Sequence, residues 1–322
     1  KKLCYLWSSD FRTHITKKRW DKVNDKMGKF LKKYGKSSIL TDDIFINETK
    51  KGLKSFTGKN EDIEISLSED KIFLHIVTKN LKLILNLRRG LAIKSLAFSS
   101  HKFEECIGTL SHGYFSSISL GADFYSGGTV IELPIERVRL TDLEKVKPMV
   151  CEKSNGDIQI CAEIKTSLGV ITKSIEVSAR DEKISLNYGF PDWPELIGSF
   201  RLGIVTMLNE FAQEETKLSF SNGGMDYETM DFTGEINHVD SASFLTSSSG
   251  GIGATDGKLK INNKNKFLNL SWDPSESAVM PMLQKLTYED KSLCRVYFSM
   301  KETDDTSKIP SKITKFSLDI NA

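Results

Sequence analysis

The richest chemistry in this sequence is gathered in GTLSHGYFSSISLGADFYSGG, Gly108 to Gly128. Gly108, Gly113, Gly121, Gly127 and Gly128 mark turns or close backbone approach. Tyr114, Phe115, Phe124 and Tyr125 supply flat faces, and His112 and Asp123 supply polar handles. A sugar ring needs this combination, because its C–H faces stack and its hydroxyls need paired donors and acceptors. An irregular loop whose aromatics plug the edge of a sheet fits the same composition. His112 and Asp123 stand eleven positions apart without an obvious third ligand, so the stretch carries no zinc signature.

A second stretch is YGFPDWPELIGSFRLGIVTM, Tyr188 to Met207. Its two prolines suggest a fixed loop. It offers Trp193 for stacking and Asp192 and Glu195 as a carboxylate pair for glycosidic chemistry, although sequence spacing does not give their separation. Arg201 begins a strand and can reach a carboxylate bidentately, either in a ligand or inside the fold. A third stretch, SFSNGGMDYETM, holds a turn at Asn222-Gly223-Gly224 followed by Asp226, Tyr227 and Glu228. SSSGGIGATDG lacks the lysine and spacing of a phosphate loop and reads as a turn. Asp10, Arg12 and His14, at a period of two before a helix, line a cleft or cap a junction. His75 and His101 fall in or beside strand-like runs and read as structural. GxSxG, HExxH and GxGxxG are absent from the sequence.

The elements that must position these groups are mostly strands. IEISLSED, KIFLHIVT, LKLILNL, AIKSLAF, VIELPIERVRLT, DIQICAEIKT, GVITKSIEVSA and KISLNYGF alternate apolar and polar residues. SFRLGIVTML, TKLSFSN, GKLKINN, KFLNLSW, CRVYFSM and ITKFSLDI continue the habit, with turns such as NGD and NNKNK between runs. More than a dozen short strands predict a mainly β fold, a large antiparallel two-sheet β-sandwich over 51–322. One helix precedes it. Thr16 to Gly35 places Trp20, Val23, Met27, Phe30, Leu31 and Tyr34 on one face, with Thr16 as N-cap and Gly35 as C′. Residues 1–50 are expected to be a helical segment, a remnant or linker from a preceding domain.

Composition narrows the classes. The chain has 322 residues, 39% apolar and 27% charged, with a formal net charge of +2. That is a folded protein with no charge-based case for nucleic acid or an anionic membrane surface. No apolar run is long enough to span a bilayer. Cys4, Cys106, Cys151, Cys161 and Cys294 are odd in number and widely spaced. They are expected as reduced thiols in a cytoplasmic protein, with a Cys151–Cys161 bridge open in an oxidising setting. No cofactor and no metal are called for.

In order along the chain, these pieces resemble a known family. WSSDFRTHITKKRW resembles the segment that closes the catalytic part of glycoside hydrolase family 57-like proteins. RRGLAIKSLAF, GTLSHGYFSSISLGADFYSGG and SFRLGIVTMLNEF with SNGGMDYETM resemble the C-terminal β domain of some bacterial relatives. The resemblance covers roughly residues 5 to 260. It implies a galactose-mutarotase-like supersandwich that follows a (β/α)₇-type barrel and a helical segment, in proteins that act on α-glucans by a retaining route. The family's nucleophile Glu and acid/base Asp lie on that barrel, which this sequence lacks, and Asp192 and Glu195 match no family catalytic motif. The resemblance implies His112, Tyr114 and Asp123 as cleft-facing polar residues.

The expected function is therefore binding or positioning of a saccharide, completing a cleft built with a missing N-terminal catalytic domain or partner subunit. The candidate substrate-binding residues are His112, Tyr114, Asp123, Tyr125, Trp193, Glu195 and Arg201, with Asp10, Arg12 and His14 at a cleft or junction; catalytic residues stay unassigned. Two other readings stay open. One is a stand-alone aldose-epimerase-like enzyme pairing His112 with Glu195 or Asp123. The other is an interaction domain whose aromatics meet a protein partner.

Overall fold

The computed structural model describes residues 25–26, 29, 56–57, 63–110, 125–224, 226–237, 251–288, 291–302 and 314–322. The chain divides into two compact units, Lys1–Ile44 with Leu110–Phe124, and Phe45–Thr109 with Tyr125–Ala322. In the first, Asp25, Lys26 and Lys29 are helical, and Lys29 Nζ donates to Asp25 Oδ2 at 2.6 Å, one turn away. The rest of the expected helix lies outside the described residues.

The second unit is built of antiparallel strands. The first group is β1 (Phe56–Thr57), β2 (Ile63–Leu67), β3 (Phe73–Thr78), β4 (Leu81–Asn86), β5 (Ala92–Phe98), β6 (Glu105–Gly108), β7 (Val130–Leu133) and β8 (Val138–Thr141). Then come β9 (Met149–Glu152), β10 (Ile158–Lys165), β11 (Val170–Val177), β12 (Lys183–Gly189), β13 (Ser199–Met207), β14 (Lys217–Ser221) and β15 (Tyr227–Asp231). The last are β16 (Ile236–Asn237), β17 (Lys258–Asn263), β18 (Lys266–Ser271), β19 (Met280–Tyr288), β20 (Lys291–Lys301) and β21 (Lys315–Asn321).

Two sheets result, as the alternating sequence pattern predicts. One runs β1-β2-β3-β4-β5-β6-β13-β20-β19-β16, with β7 on β13 and β8 on β7. The other runs β15-β14-β17-β18-β21-β12-β11-β10-β9. In the second, period-two alternation puts Ile158, Ile160 and Ile164 of β10 inside with Ile184 and Leu186 of β12 and Phe316, Leu318 and Ile320 of β21. The sheets meet at aromatic contacts. Phe298 of β20 and Phe316 of β21 have centroids 5.5 Å apart, and Trp272 stands edge-on to Phe298 at 5.3 Å. Each fully buried Phe contributes about 1.5–3 kcal/mol from removed apolar surface. Gly203 lets the sheets approach here. Its φ is +55°, and a Cβ there would stand 3.0 Å from the Phe316 ring.

One breach of this apolar core organises its surroundings. Lys173 occupies an inward position of β11, between Ile171 and Ile175, and is fully buried. Its ammonium donates to Asp142 Oδ2 at 2.7 Å and to the Gly127 carbonyl at 2.5 Å. Asp142, equally buried, accepts the Thr129 backbone N–H at 2.9 Å through its other oxygen. Tyr188 of β12 donates its hydroxyl to the same Gly127 carbonyl at 2.8 Å, and its ring lies 5.4 Å from the Lys173 ammonium. Burial, then the Asp142 charge, pushes the Tyr188 hydroxyl well above its usual pKa, so it stays a donor. Gly127, at φ +70°, also donates its N–H to Ile204 at 2.6 Å. Of the two glycines that close the aromatic stretch, Gly127 thus serves a turn in the left-handed conformation that glycine favours.

The segment after Asp142 is pinned to the first sheet as well. Gly90 N–H donates to the Glu144 carbonyl and Val146 N–H to the Leu87 carbonyl, both at 2.8 Å. A Cβ at Gly90, whose φ is +56°, would fall 1.8 Å from the Asp142 carbonyl oxygen, so this contact requires glycine.

Cys106, Cys151, Cys161 and Cys294 are free thiols. Cys151 opposes Gln159 and Cys161 opposes Met149, so the two cysteines are diagonal neighbours and the bridge left open by the sequence is not formed. Among the described residues no helix is long and apolar enough to cross a membrane, and no group of three or more His, Cys, Asp or Glu gathers as metal ligands.

Two outcomes follow from this core. Lys173→Met leaves the Asp142 carboxylate buried without its counter-charge and is expected to cost about 3–5 kcal/mol. Lys173→Met with Asp142→Leu should recover much of that loss, read from urea denaturation midpoints. The second concerns His101, buried among Phe98, Phe211 and Phe267 and facing Glu182, Glu104 and Lys266. Desolvation lowers its pKa against the pull of Glu182. The unfolded chain therefore binds the proton more readily, and stability falls as pH drops through about 6.5 toward the folded value. His101→Leu should flatten this part of the profile between neutral and mildly acidic pH.

Candidate functional site

The outward face of the second sheet carries a groove of about 830 Å³. Its floor is set by strand register. Cys161, Ser174, Asn187 and Ser317 stand opposite one another across β10, β11, β12 and β21. Glu163, Thr172, Gly189 and Lys315 form the next outward rank, two residues along. Together these present a thiol, three hydroxyls, an amide, a carboxylate and an ammonium. Cys161, Thr172, Ser174, Asn187 and Ser317 are all half-buried rather than fully solvated. Asn187 Nδ2 donates to Ser174 Oγ at 3.4 Å. Gly189 keeps the middle hollow, since a Cβ there would stand 2.4 Å from Thr172 Oγ1.

One wall is the extended segment leading into β9. Lys145, Lys147 and Met149 are exposed and alternate with buried Val146, Pro148 and Val150, so all three project from one side. The wall follows Asp142 by only three residues, and the floor strand β11 carries Lys173 between Thr172 and Ser174. The buried ion pair therefore sets the wall's position relative to the floor.

Chemically the groove suits recognition by many hydrogen bonds. Glu163 is its one carboxylate among the lining residues, and no histidine is among them. Burial, then the neighbouring Cys151, pushes the Cys161 thiol up, so it is no activated nucleophile. Lys315 pairs with Glu276 at 2.6 Å on the rim.

Of the residues singled out from the sequence, the described ones do not line the groove. His112, Tyr114 and Asp123, like Asp10, Arg12 and His14, lie outside the described residues. Tyr125 is buried, with the Arg89 guanidinium 5.7 Å from its ring. Trp193 is 3% exposed. It donates Nε1–H to the Val170 carbonyl at 3.0 Å and packs against Phe190 and Phe200, so it clamps the β10–β11 turn. Asp192 and Glu195 are exposed on the loop before β13 and do not line the groove.

Arg201 makes the bidentate pair that its position suggests, but with the chain itself. Its Nε and Nη2 donate to Glu302 Oε1 at 2.9 Å and Oε2 at 3.0 Å. Ser299 and Ser199 add hydroxyl donors to the same carboxylate at 2.6 and 3.2 Å. Burial works to lower the Arg201 pKa, and the hydrogen bonds and charge of Glu302 outweigh it, so the guanidinium is held charged. A carboxylate accepting four donors is a poor general base, and the cluster joins β13 to the end of β20.

Cys161, Glu163, Thr172, Ser174, Asn187, Lys315 and Ser317 all sit in runs legible as strands. Their signal is a preference for short polar side chains on outward positions. It becomes a site only once β21 is known to pair with β12.

No family model matches the chain, and no curated protein matches it. Solved structures do. A candidate mutarotase, YeaD, from Salmonella typhimurium is similar over 84% of this chain and 96% of that one, at a TM-score of 0.50 and 11% identity. A candidate aldose 1-epimerase from Klebsiella pneumoniae covers 80% of this chain and 82% of its own, at 0.49 and 12%. A galactose mutarotase-like protein from Lactobacillus casei covers 77% and 99%, at 0.47 and 8%. The last two scores are too low to add to the argument, and the link to family 57 glycoside hydrolases is not shown. At such identities the likeness to YeaD speaks for the fold: this chain is a β-sandwich built like a mutarotase-like protein.

Proposed function

We propose that this chain binds a saccharide in the groove on its second sheet, as the sugar-binding or sugar-positioning part of a carbohydrate-active protein. One observation carries the reading. Two ranks of outward polar side chains, spread over four strands around Gly189 and half-buried at Cys161, Thr172, Ser174, Asn187 and Ser317, form a floor able to pair with many hydroxyls at once. The likeness in fold to YeaD is compatible with it. Catalysis would come from a preceding domain or a partner subunit, with α-glucan hydrolysis as the reaction that the family resemblance suggests. The free thiols fit a reducing, cytoplasmic setting.

Binding is favoured over epimerisation in the groove by its chemistry. An epimerase needs an acid and a base converging on one sugar ring. Glu163 lacks a histidine partner among the lining residues, and Cys161 stays protonated.

The test is calorimetric titration of the whole chain with oligosaccharides of several classes, maltooligosaccharides included. Asn187→Ala with Ser174→Ala should keep the fold, checked by circular dichroism, and weaken binding by about tenfold or more, the loss of roughly one to two hydrogen bonds. Thr229→Ala, on the far edge strand β15, should leave it unchanged. Absence of binding to every class at two temperatures contradicts the proposal, as does binding that the floor variant leaves intact.

A further inference from the structure

Three sulfur side chains stand together on the outward face of the second sheet, at its edge. β9 is the last strand of that sheet, and β10 lies beside it. On β9 the outward residues are Met149 and Cys151, with buried Val150 between them. On β10 Cys161 is outward, between buried Ile160 and Ala162. Register sets Met149 directly opposite Cys161 and Cys151 opposite Gln159, so Cys151 and Cys161 are diagonal neighbours. We propose that Met149, Cys151 and Cys161 form a binding site for a soft monovalent metal ion, Cu(I). This goes beyond the saccharide reading and does not rest on it.

Placement on the sheet carries the proposal. Directly opposed side chains on antiparallel strands have Cβ atoms about 4.5–5.5 Å apart, and diagonal neighbours stand about 7–8 Å apart. Met149 and Cys151, two residues apart on one strand, are separated by about 6.8 Å. All three side chains rise from one face, so their sulfurs can converge above the gap between the strands. Met149 is unbranched and flexible, and can lean toward the two thiols. Burial, then the neighbouring Cys151, pushes the Cys161 thiol up, which is a sign that the two sulfurs are close.

Access supports it as well. Cys151 and Cys161 are free and half-buried, and Met149 is 45% exposed at the open edge of the sheet. An ion can therefore enter without opening the core. Cys106 and Cys294 are free thiols too, but both are sealed inside. Burial pushes the Cys106 thiol up to about 12 and raises Cys294 further, so neither offers a thiolate.

Donor chemistry selects the ion. Thiolate and thioether sulfurs are soft ligands that favour Cu(I). Structural zinc takes four donors from Cys, His and carboxylates. Among the described residues no group of three or more His, Cys, Asp or Glu gathers, whereas two thiols and a thioether do. Binding forms two copper–thiolate bonds and one copper–thioether bond, breaks two S–H bonds and releases two protons to solvent. Copper stays Cu(I) throughout, so no electron is transferred. Met149 and Cys161 also line the groove, so a bound ion would clip its wall to its floor.

The experiment is an anaerobic titration of the reduced full chain with Cu(I), in competition with the chromophoric chelator bathocuproine disulfonate. X-ray absorption at the copper edge then counts the neighbours. One Cu(I) per chain with three sulfur neighbours is expected. Cys151→Ser with Cys161→Ser should abolish this binding and keep the fold, checked by circular dichroism. Met149→Leu, which keeps the bulk and removes the sulfur, should weaken binding by about tenfold and leave two sulfur neighbours. Cys4→Ser should leave it unchanged. Failure of the chain to hold copper against the chelator overturns the site. So does binding that survives the double serine variant, or binding that Cys4→Ser removes. Full-strength binding in Met149→Leu overturns the three-sulfur set, and tighter binding of Zn(II) than of Cu(I) overturns the choice of metal.

Discussion

The buried Lys173–Asp142 ion pair is the constraint on which the rest of this structure depends. An ammonium and a carboxylate at zero exposure are tolerable only when each is paired and hydrogen-bonded. Here the remaining valences are met by the Gly127 carbonyl, the Thr129 N–H and, through Gly127, the Tyr188 hydroxyl. Meeting them fixes three pieces of backbone against one another: the end of the glycine-rich stretch, the segment at Asp142, and strands β11 and β12. Apolar packing between two sheets would allow several sliding arrangements at similar cost. A dry charge pair adds directional partners at fixed positions, which apolar packing lacks.

The groove follows from these contacts. Its wall begins three residues beyond Asp142 and is tied to the first sheet through Leu87 and Gly90. Its floor flanks Lys173 on the other face of the same strand. Inside and outside of β11 therefore have different tasks at adjacent residues: Lys173 locks the core, while Thr172 and Ser174 face a ligand. The Arg201–Glu302 cluster on the other sheet shows the contrasting use of charge. With its carboxylate saturated by four donors, it holds strands together and has little capacity left for chemistry.

Much of the fold was legible because period-two alternation is a local property. The strand runs from IEISLSED to ITKFSLDI reappear as strands. β19 was not among them, and the reason is physical: Gln284 and Lys285 are buried there on partners from elsewhere, Arg295 and the Gly234 carbonyl, which breaks the apolar pattern. Lys173 is visible as a cation on an inward row of GVITKSIEVSA, yet its partner Asp142 lies 31 residues away. The site was harder still. Composition drew attention to aromatics, and the described ones, Tyr125 and Trp193, are buried where they brace turns. The groove is made of ordinary Ser, Thr, Asn and Lys residues, and Ser317 and Lys315 join it through a C-terminal strand inserted between β12 and β18. Nothing local announces that pairing.

The central claim is that the outward face of β10, β11, β12 and β21 is the ligand-binding face. Hydrogen–deuterium exchange of the full chain, with and without a saturating oligosaccharide that calorimetry shows to bind, tests it most directly. The account predicts slowed exchange in the 144–149 wall and in those four strands, with β14, β15 and the Arg201–Glu302 region unchanged. Protection confined to the Arg201 face, with the groove strands exchanging at their free rate, would contradict it.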